Sequence, residues 1–156
     1  MACDQGCDCA LLGESALFEG LSAAEVRRLA EVAEMCTFGD RDAVVAEGAF
    51  GDALFVLHDG EVDVTTHDPA GSEVLLTTVG SRGAFFGEVA LVDPGPRSAT
   101  IRARGQARLL QFTVDGLEAF FGEFPDAQAL VLRNIARALA RRLRESNTRF
   151  AAASAS

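Results

Sequence analysis

The chain is 156 residues long and has a formal net charge of −9, and all of its 14 basic residues are arginine. This length supports one hydrophobic core and is short for two. No apolar run approaches the roughly 20 residues that a membrane-spanning helix needs, and the negative charge disfavours nonspecific binding to nucleic acid or anionic lipid. We therefore expect one globular domain that binds neither a membrane nor nucleic acid.

The first residues, 1–12, contain three of the four cysteines, and we expect them to form a disordered tail with reduced thiols. No basic residue precedes the apolar stretch of this segment, so it does not resemble a secretory signal, and we expect a cytoplasmic protein. The alternative is a redox or metal sensor whose cysteines bind zinc or an iron–sulfur cluster, although their C-x3-C-x-C spacing matches no common ligand pattern. We interpret Cys36 as a small core residue. The cysteines are Cys3, Cys7, Cys9 and Cys36.

The pattern Ser22-Ala-Ala-Glu25 is a capping box, and apolar residues follow it at helical spacing, which predicts a helix from about Ser22 to Met35. From Thr37 to Phe112 the pattern changes to short β-prone runs divided by glycines. Asp59-Gly60 between two alternating runs predicts a hairpin. Many short strands with turn glycines favour an antiparallel barrel, sandwich or roll. The predicted strands are Ala43 to Ala46, Leu54 to His58, Glu61 to Thr66, Glu73 to Val79, Ala99 to Ala103 and Ala107 to Thr113.

Two helices are predicted after the strands, a short one from Val114 to Phe121 and a long one from Asp126 to about Phe150. The apolar stripe of the long helix is wide enough to contact both the strands and a partner helix, so a homodimer and a monomer both remain open. The last residues, 151–156, are expected to fray. The stripe consists of Leu130, Leu132, Ile135, Ala136, Leu139 and Leu143.

The turn-rich segment from Phe85 to Ala103 combines a glycine, an acid, an arginine and a serine. A glycine before a short helix leaves the first helical amides free to bind an anion. Arg97 can grip a phosphate through two charge-assisted hydrogen bonds, and Ser98 and the Ala99 amide add donors beside it. Glu88 would repel a phosphate but can accept hydrogen bonds from a ribose hydroxyl. An ordinary surface ion pair between Glu88 and Arg97 is the other interpretation.

Phe-Gly-Glu-Val-Ala-Leu, a short turn and then Pro-Arg-Ser-Ala-Thr resemble the phosphate-binding cassette of cyclic-nucleotide-binding domains. The similarity extends roughly from Leu17 to Asn147. It implies an α+β fold in which an antiparallel β-roll (a double-stranded β-helix or jelly roll) is flanked by an N-terminal helix and C-terminal helices, with a short helix in the cassette. The implied domain covers 13–150, between tails at 1–12 and 151–156.

The resemblance also implies the ligand, cyclic AMP first or cyclic GMP, and its contacts. Gly87 and Glu88 would bind the ribose 2′-hydroxyl, and Arg97 the cyclic phosphate. Neighbours in the cassette would complete the phosphate site, two strand positions would line the sugar and base, and polar residues of the long helix would meet the purine. The expected ligand-binding residues are Gly87, Glu88, Val89, Ala90, Arg97, Ser98, Ala99, Val64, Leu76, Arg142, Ser146 and Asn147.

In transcription factors of this family a DNA-binding domain follows the long helix, whereas here the chain stops within a few residues of it. We therefore expect a stand-alone sensor that is not an enzyme, needs no cofactor and acts on a separate effector protein. A protein-interaction module with an idle pocket is a further alternative. His58 and His67 lie near strand ends without a nucleophile pattern nearby, so we interpret both as surface residues.

Overall fold

The computed structural model describes residues 9–155. Residues 9–14 are helical (α1), and a 3₁₀ turn at Ala16–Phe18 leads to helix α2 (Ala23–Val32). The strands of the described part are β1 (Glu34–Phe38), β2 (Ala43–Val45), β3 (Ala53–His67), β4 (Glu73–Val79), β5 (Phe85–Phe86) and β6 (Thr100–Thr113). The other helices are α3 (Val89–Val92), α4 (Val114–Glu123) and α5 (Pro125–Ala155). None of the described helices is long and apolar enough to cross a membrane.

The strands form a six-stranded sheet in which the long strands β3 and β6 pair with each other. Each of the other four strands pairs with one of these two. β6 also pairs with β1 and β2, while β3 also pairs with β4 and β5. All of these pairings are antiparallel. The strands thus form one antiparallel sheet with helices on its flanks, and the predicted α+β β-roll is confirmed.

Successive residues of β3 pack into two different cores, because side chains alternate between the faces of a strand. Leu54 and Val56 join the core between the sheet and helices α1, α2, α4 and α5. Phe55 and Leu57 join the core inside the roll. The helices are therefore fixed to the outside of the roll, which leaves the end of its interior beside the cassette open to a ligand.

The chain does not turn back at Asp59-Gly60, so the predicted hairpin is wrong. β3 continues from Ala53 to His67, and its register with β6 shifts on both sides of Asp59. Gly60 has a φ of +92°, and a Cβ on it would lie 2.4 Å from the carbonyl oxygen of Gln106. This glycine is required by a bulge that lies close to the neighbouring backbone.

The capping box is confirmed, because the Glu25 amide donates to Ser22 Oγ at 3.1 Å and the Ser22 amide donates to Glu25 Oε1 at 2.8 Å. The helix ends earlier than predicted, at Val32. Met35 instead lies in β1, where it pairs with Leu110 of β6. The apolar side chain of Met35 is compatible with both the helical period and a strand. The pairing of β1 with the distant strand β6 is what makes this residue part of a strand.

At the N-terminus the core includes residues that the sequence analysis placed in a tail. Residues 9–14 are helical, and Leu11 and Leu12 are fully buried. Ser15 Oγ donates to the carbonyl oxygen of Gly83 at 2.7 Å and ties this segment to the roll. Residues 9–12 therefore belong to the folded domain, because their leucines fill the core. At the other end, α5 remains helical through Ala155 instead of ending near Phe150.

We expect Leu12→Ala to lower the free energy of unfolding by about 2–5 kcal/mol, because it leaves a cavity in the core. The matched control is Leu75→Ala on β4, where the leucine is 51% exposed. That variant should change the free energy by less than about 0.5 kcal/mol. Urea unfolding followed by circular dichroism measures both values, and equally small losses would contradict the burial of Leu12.

Candidate functional site

A cavity of about 530 Å³ lies between one end of the roll, the segment around α3 and the C-terminal half of α5. Its walls combine apolar side chains of the strands with charged and hydroxyl-bearing side chains of the cassette and α5. This combination is typical of a site for a small polar ligand. The roll contributes Val45, Val64, Leu76, Thr77, Val79, Phe85, Phe86 and Ile101. The loops and α3 contribute Gly51, Gly87, Glu88, Val89, Ala90, Asp93, Gly95, Pro96, Arg97, Ser98 and Ala99, and α5 contributes Arg142, Glu145, Ser146 and Arg149.

All of the predicted ligand-binding residues except Asn147 line this cavity. The lining residues of α5 are separated by three, four and seven positions from Arg142, which places them on one face of the helix. Asn147 follows Ser146 by one residue, about 100° around the helix, and does not belong to the cavity lining. The contact of Asn147 with a purine therefore stays a prediction without support from this lining.

Arg97 lies half-buried at the phosphate end of the predicted site. Its Nη2 donates to the carbonyl oxygen of Ala53 at 2.6 Å, and its Nη1 donates to that of Gly87 at 3.3 Å. Burial lowers the pKa of Arg97 from its ordinary value, while the charges of Asp52 and Glu88 act to raise it. These two hydrogen bonds use two of the five N–H donors of a guanidinium, so other donors can bind an anion.

The backbone around Arg97 is fixed to the loop that precedes β3. The Gly48 amide donates to the Arg97 carbonyl oxygen at 2.8 Å, and the Arg97 amide donates to the carbonyl oxygen of Ala49 at 2.8 Å. The Gly51 amide donates to that of Gly95 at 3.0 Å. The two loops are thereby paired along their length, which fixes the origin of the Arg97 side chain.

The cassette helix is shorter than an anion site made of helix amides would need. α3 is one turn long, and the Ala90 amide already donates to the carbonyl oxygen of Gly87 at 3.2 Å. The Leu91 amide donates to that of Glu88 at 3.1 Å. Two of the amides at the start of this helix, those of Ala90 and Leu91, are therefore engaged, and Arg97 is a cation on the cassette side of the cavity.

Glu88 is 1% exposed and pairs with Arg142 of α5, whose Nη1 donates to Glu88 Oε1. Arg142 also donates to the Phe85 carbonyl oxygen at 3.3 Å and lies 5.9 Å from the centre of the Phe85 ring. The alternative of a surface pair between Glu88 and Arg97 is therefore wrong. Glu88 Oε2 is buried and lacks a hydrogen-bond partner within residues 9–155, so it can accept a donor from a ligand.

The cysteines give no support to a metal centre in the part of the chain that the structure describes. Residues 9–155 contain no group of three or more His, Cys, Asp or Glu residues that could hold a metal ion. Cys3 and Cys7 lie outside the described residues, and Cys9 and Cys36 are free. Cys36 is half-buried instead of lying in the core, and its Sγ donates to Gln111 Oε1 at 3.2 Å. Burial raises the pKa of this thiol, with a smaller contribution from Glu34, which disfavours the reactive thiolate.

The two histidines lie away from the cavity. His67 is exposed, and its Nδ1 lies 2.8 Å from Glu47 Oε2. The His58 side chain is only 12% exposed, and its Nδ1 lies 3.0 Å from Asp59 Oδ1. The interpretation as a surface residue therefore holds for His67 and fails for His58, whose side chain is largely buried.

Sequence reasoning missed several cavity residues, notably Glu145, Arg149 and Gly51. The first two could have been found by counting helical turns from Arg142. Gly51 gives no local signal, because its position in the cavity depends on the pairing of two loops that are far apart in sequence.

A half-buried arginine, a buried carboxylate and an apolar wall around one cavity are suited to a small ligand with anionic and hydroxyl groups. A family model described as "cyclic nucleotide-binding domain" matches residues 35–124. The chain belongs to the cyclic nucleotide-binding domain family, and we describe it as a regulatory domain of that family.

Relatives and solved structures agree with this assignment. The chain is 30% identical over 141 residues to a CRP-like cAMP-activated global transcriptional regulator of Mycobacterium tuberculosis. The aligned region covers 90% of this chain and 61% of the regulator. A cyclic nucleotide-binding domain from Methylobacillus flagellatus has a TM-score of 0.81 and 27% identity, over 94% of this chain and 82% of the other. The N-terminal domain of a transcriptional regulator from Streptomyces coelicolor A3(2) has a TM-score of 0.74 and 31% identity, over 90% and 94%. The chain thus spans about three fifths of the M. tuberculosis regulator.

We expect Arg142→Ala to lower the free energy of unfolding of the ligand-free protein by about 1–3 kcal/mol, because the buried carboxylate of Glu88 loses its donor. Adding Glu88→Gln removes the buried charge and should restore most of that loss. The matched control is Arg141→Ala, which removes an exposed arginine on another face of α5. Chemical unfolding measures all three variants, and equal losses from Arg142→Ala and Arg141→Ala would contradict a stabilising contact with Glu88.

Proposed function

We propose that this protein is a non-enzymatic cytoplasmic sensor that binds a 3′,5′-cyclic nucleotide in the cavity and acts on a separate effector protein. The observation that carries the proposal is that Arg97 and Glu88 lie on the wall of the same cavity, where Glu88 Oε2 has no hydrogen-bond partner among residues 9–155. A cyclic nucleotide offers a matching pair of groups, an anionic phosphate next to a ribose 2′-hydroxyl. A metal-centre function has no comparable support in the described residues.

In this proposal Arg97 binds the cyclic phosphate, with Ser98 and the Ala99 amide beside it. Glu88 accepts a hydrogen bond from the 2′-hydroxyl. The apolar side chains of Val64 and Leu76 contact the sugar and base, where burial of the purine face adds to affinity.

Cyclic AMP is the first choice of nucleotide. The relative from M. tuberculosis is described as cAMP-activated. On the base side the cavity offers polar groups of α5, among them the Ser146 hydroxyl and the Glu145 carboxylate. These groups can pair with either purine, so binding of cyclic GMP should be measured beside that of cyclic AMP.

Binding is coupled to α5 through Glu88 in this proposal. The carboxylate that would accept the ribose hydroxyl is also the acceptor for Arg142, so the nucleotide and α5 share one group. A ligand that contacts both the cassette and α5 favours the arrangement in which both contacts are made. The effector would then respond to the position of α5.

We also propose that the sensor forms a homodimer through the exposed apolar face of α5. Within the predicted stripe, Ile135 is buried against the domain core, whereas Leu132 and Leu143 are 38% and 62% exposed. Ala136, Leu143 and Phe150 recur every seven residues, which is typical of helices that pair along a seam. A second copy of this chain would offer the same seam.

We expect Arg97→Ala to weaken the affinity for cyclic AMP by about 30-fold to several thousandfold (~2–5 kcal/mol), because the bound phosphate loses its charged partner. The matched control is Arg102→Ala, which removes an arginine of β6 that pairs with Glu73 and should leave the affinity unchanged. Calorimetric titration with cyclic AMP and cyclic GMP measures each value. If neither nucleotide binds the wild type with a Kd below about 1 mM, the proposed function is wrong.

We expect Leu143→Glu to convert the dimer into a monomer, because it places a charge in the apolar seam. Arg137→Glu changes an exposed arginine outside the seam and should leave the dimer intact. Sedimentation velocity measures the mass of each species. A wild-type protein that is monomeric at concentrations of tens of micromolar or more would contradict the dimer.

A further inference from the structure

The side chain of Arg97 lies very close to two glycines. A Cβ built on Gly51 would lie 2.7 Å from Arg97 Nε, 2.8 Å from Cζ and 3.0 Å from Cδ. A Cβ built on Gly87 would lie 2.7 Å from Arg97 Nη1. Atoms that are not bonded prefer separations of about 3.5–4.0 Å, so a side chain at either position would displace the guanidinium.

The two glycines differ in what else they are needed for. Gly87 has a φ of +80°, and its Cβ would also approach the carbonyl oxygen of Ala53, so substitution there strains the backbone as well. Gly51 has no such conformational need, and the three atoms nearest to its Cβ position all belong to the Arg97 side chain. A substitution of Gly51 therefore tests the contact with Arg97 without also straining the backbone.

We propose that Gly51 is a positioning residue for the phosphate-binding arginine, a proposal that rests on the proposed function. Its missing side chain is what lets the Arg97 guanidinium come this close to the loop and donate to the carbonyl oxygens of Ala53 and Gly87. Those two hydrogen bonds set the direction in which the remaining N–H donors face the cavity.

The two loops around Arg97 are paired, so their backbones have little freedom to move apart. The Gly51 amide donates to the Gly95 carbonyl oxygen at 3.0 Å, and Arg97 pairs by its own backbone with Gly48 and Ala49. A methyl group at position 51 cannot push these loops apart without breaking that pairing. The guanidinium is the part that can move, and moving it breaks the bond of 2.6 Å from Nη2 to the Ala53 carbonyl oxygen.

We expect Gly51→Ala to weaken the affinity for cyclic AMP by about tenfold or more, because the charged donors lose their alignment with the phosphate. The matched control is Gly122→Ala on α4. Gly122 lies outside the cavity lining and its Cβ position faces open space among the described residues, so its substitution should change the affinity by less than about twofold. Calorimetric titration measures both variants beside the wild type.

A double-mutant cycle separates positioning of Arg97 from general damage to the loop. In an Arg97→Ala background the clashing side-chain atoms are absent, and Gly51→Ala should change the remaining affinity for cyclic AMP by less than about twofold. A crystal structure of Gly51→Ala should show Arg97 displaced from the Ala53 carbonyl oxygen. If Gly51→Ala does not fold alone, it should fold together with Arg97→Ala, since the clashing atoms are then absent.

Several results would overturn the inference. They are an unchanged or tighter affinity in Gly51→Ala, an equal loss in Gly122→Ala, an equal loss in the Arg97→Ala background, or failure to fold even with Arg97→Ala. If the wild type binds cyclic AMP and Arg97→Ala loses it while Gly51→Ala does not, the inference fails and the proposed function stands. If the wild type binds neither cyclic nucleotide, both fail.

Discussion

The buried carboxylate of Glu88 is the group on which the rest of the site depends. A carboxylate that is 1% exposed is costly unless it is paired, and the described structure supplies one partner, Arg142 on α5. The roll and the C-terminal half of the long helix are thereby joined through one charged contact. The second oxygen, Oε2, still lacks a donor within residues 9–155, and a ligand hydroxyl would satisfy it.

Arg97 provides the opposite charge under a related constraint. It is half-buried, and burial lowers its pKa, so its charge is stabilised by backbone carbonyl oxygens at its sides instead of by a directly paired carboxylate. A guanidinium held in this way keeps its orientation and retains its attraction for an anion. The charge of each residue is therefore stabilised differently. Glu88 is paired with Arg142 of a distant helix, whereas Arg97 donates to backbone carbonyl oxygens nearby.

Sequence reasoning identified the cassette because Glu88, Arg97 and their neighbours lie close together in the chain and their residue types are specific. It failed where distant contacts decide the structure. Gly60 has the form of a turn residue, yet the close backbone of β6 makes it a bulge within one strand. The face that α5 turns to the cavity depends on how the core fixes its rotation, so the sequence alone did not separate Ser146, which lines the cavity, from Asn147, which does not belong to the lining.

A crystal structure of the protein with cyclic AMP tests the central claim most directly. The account requires the cyclic phosphate to lie within hydrogen-bonding distance of the Arg97 guanidinium, with the ribose 2′-hydroxyl donating to the Glu88 carboxylate. A nucleotide bound elsewhere on the molecule, or bound in the cavity with its phosphate turned away from Arg97, would contradict it.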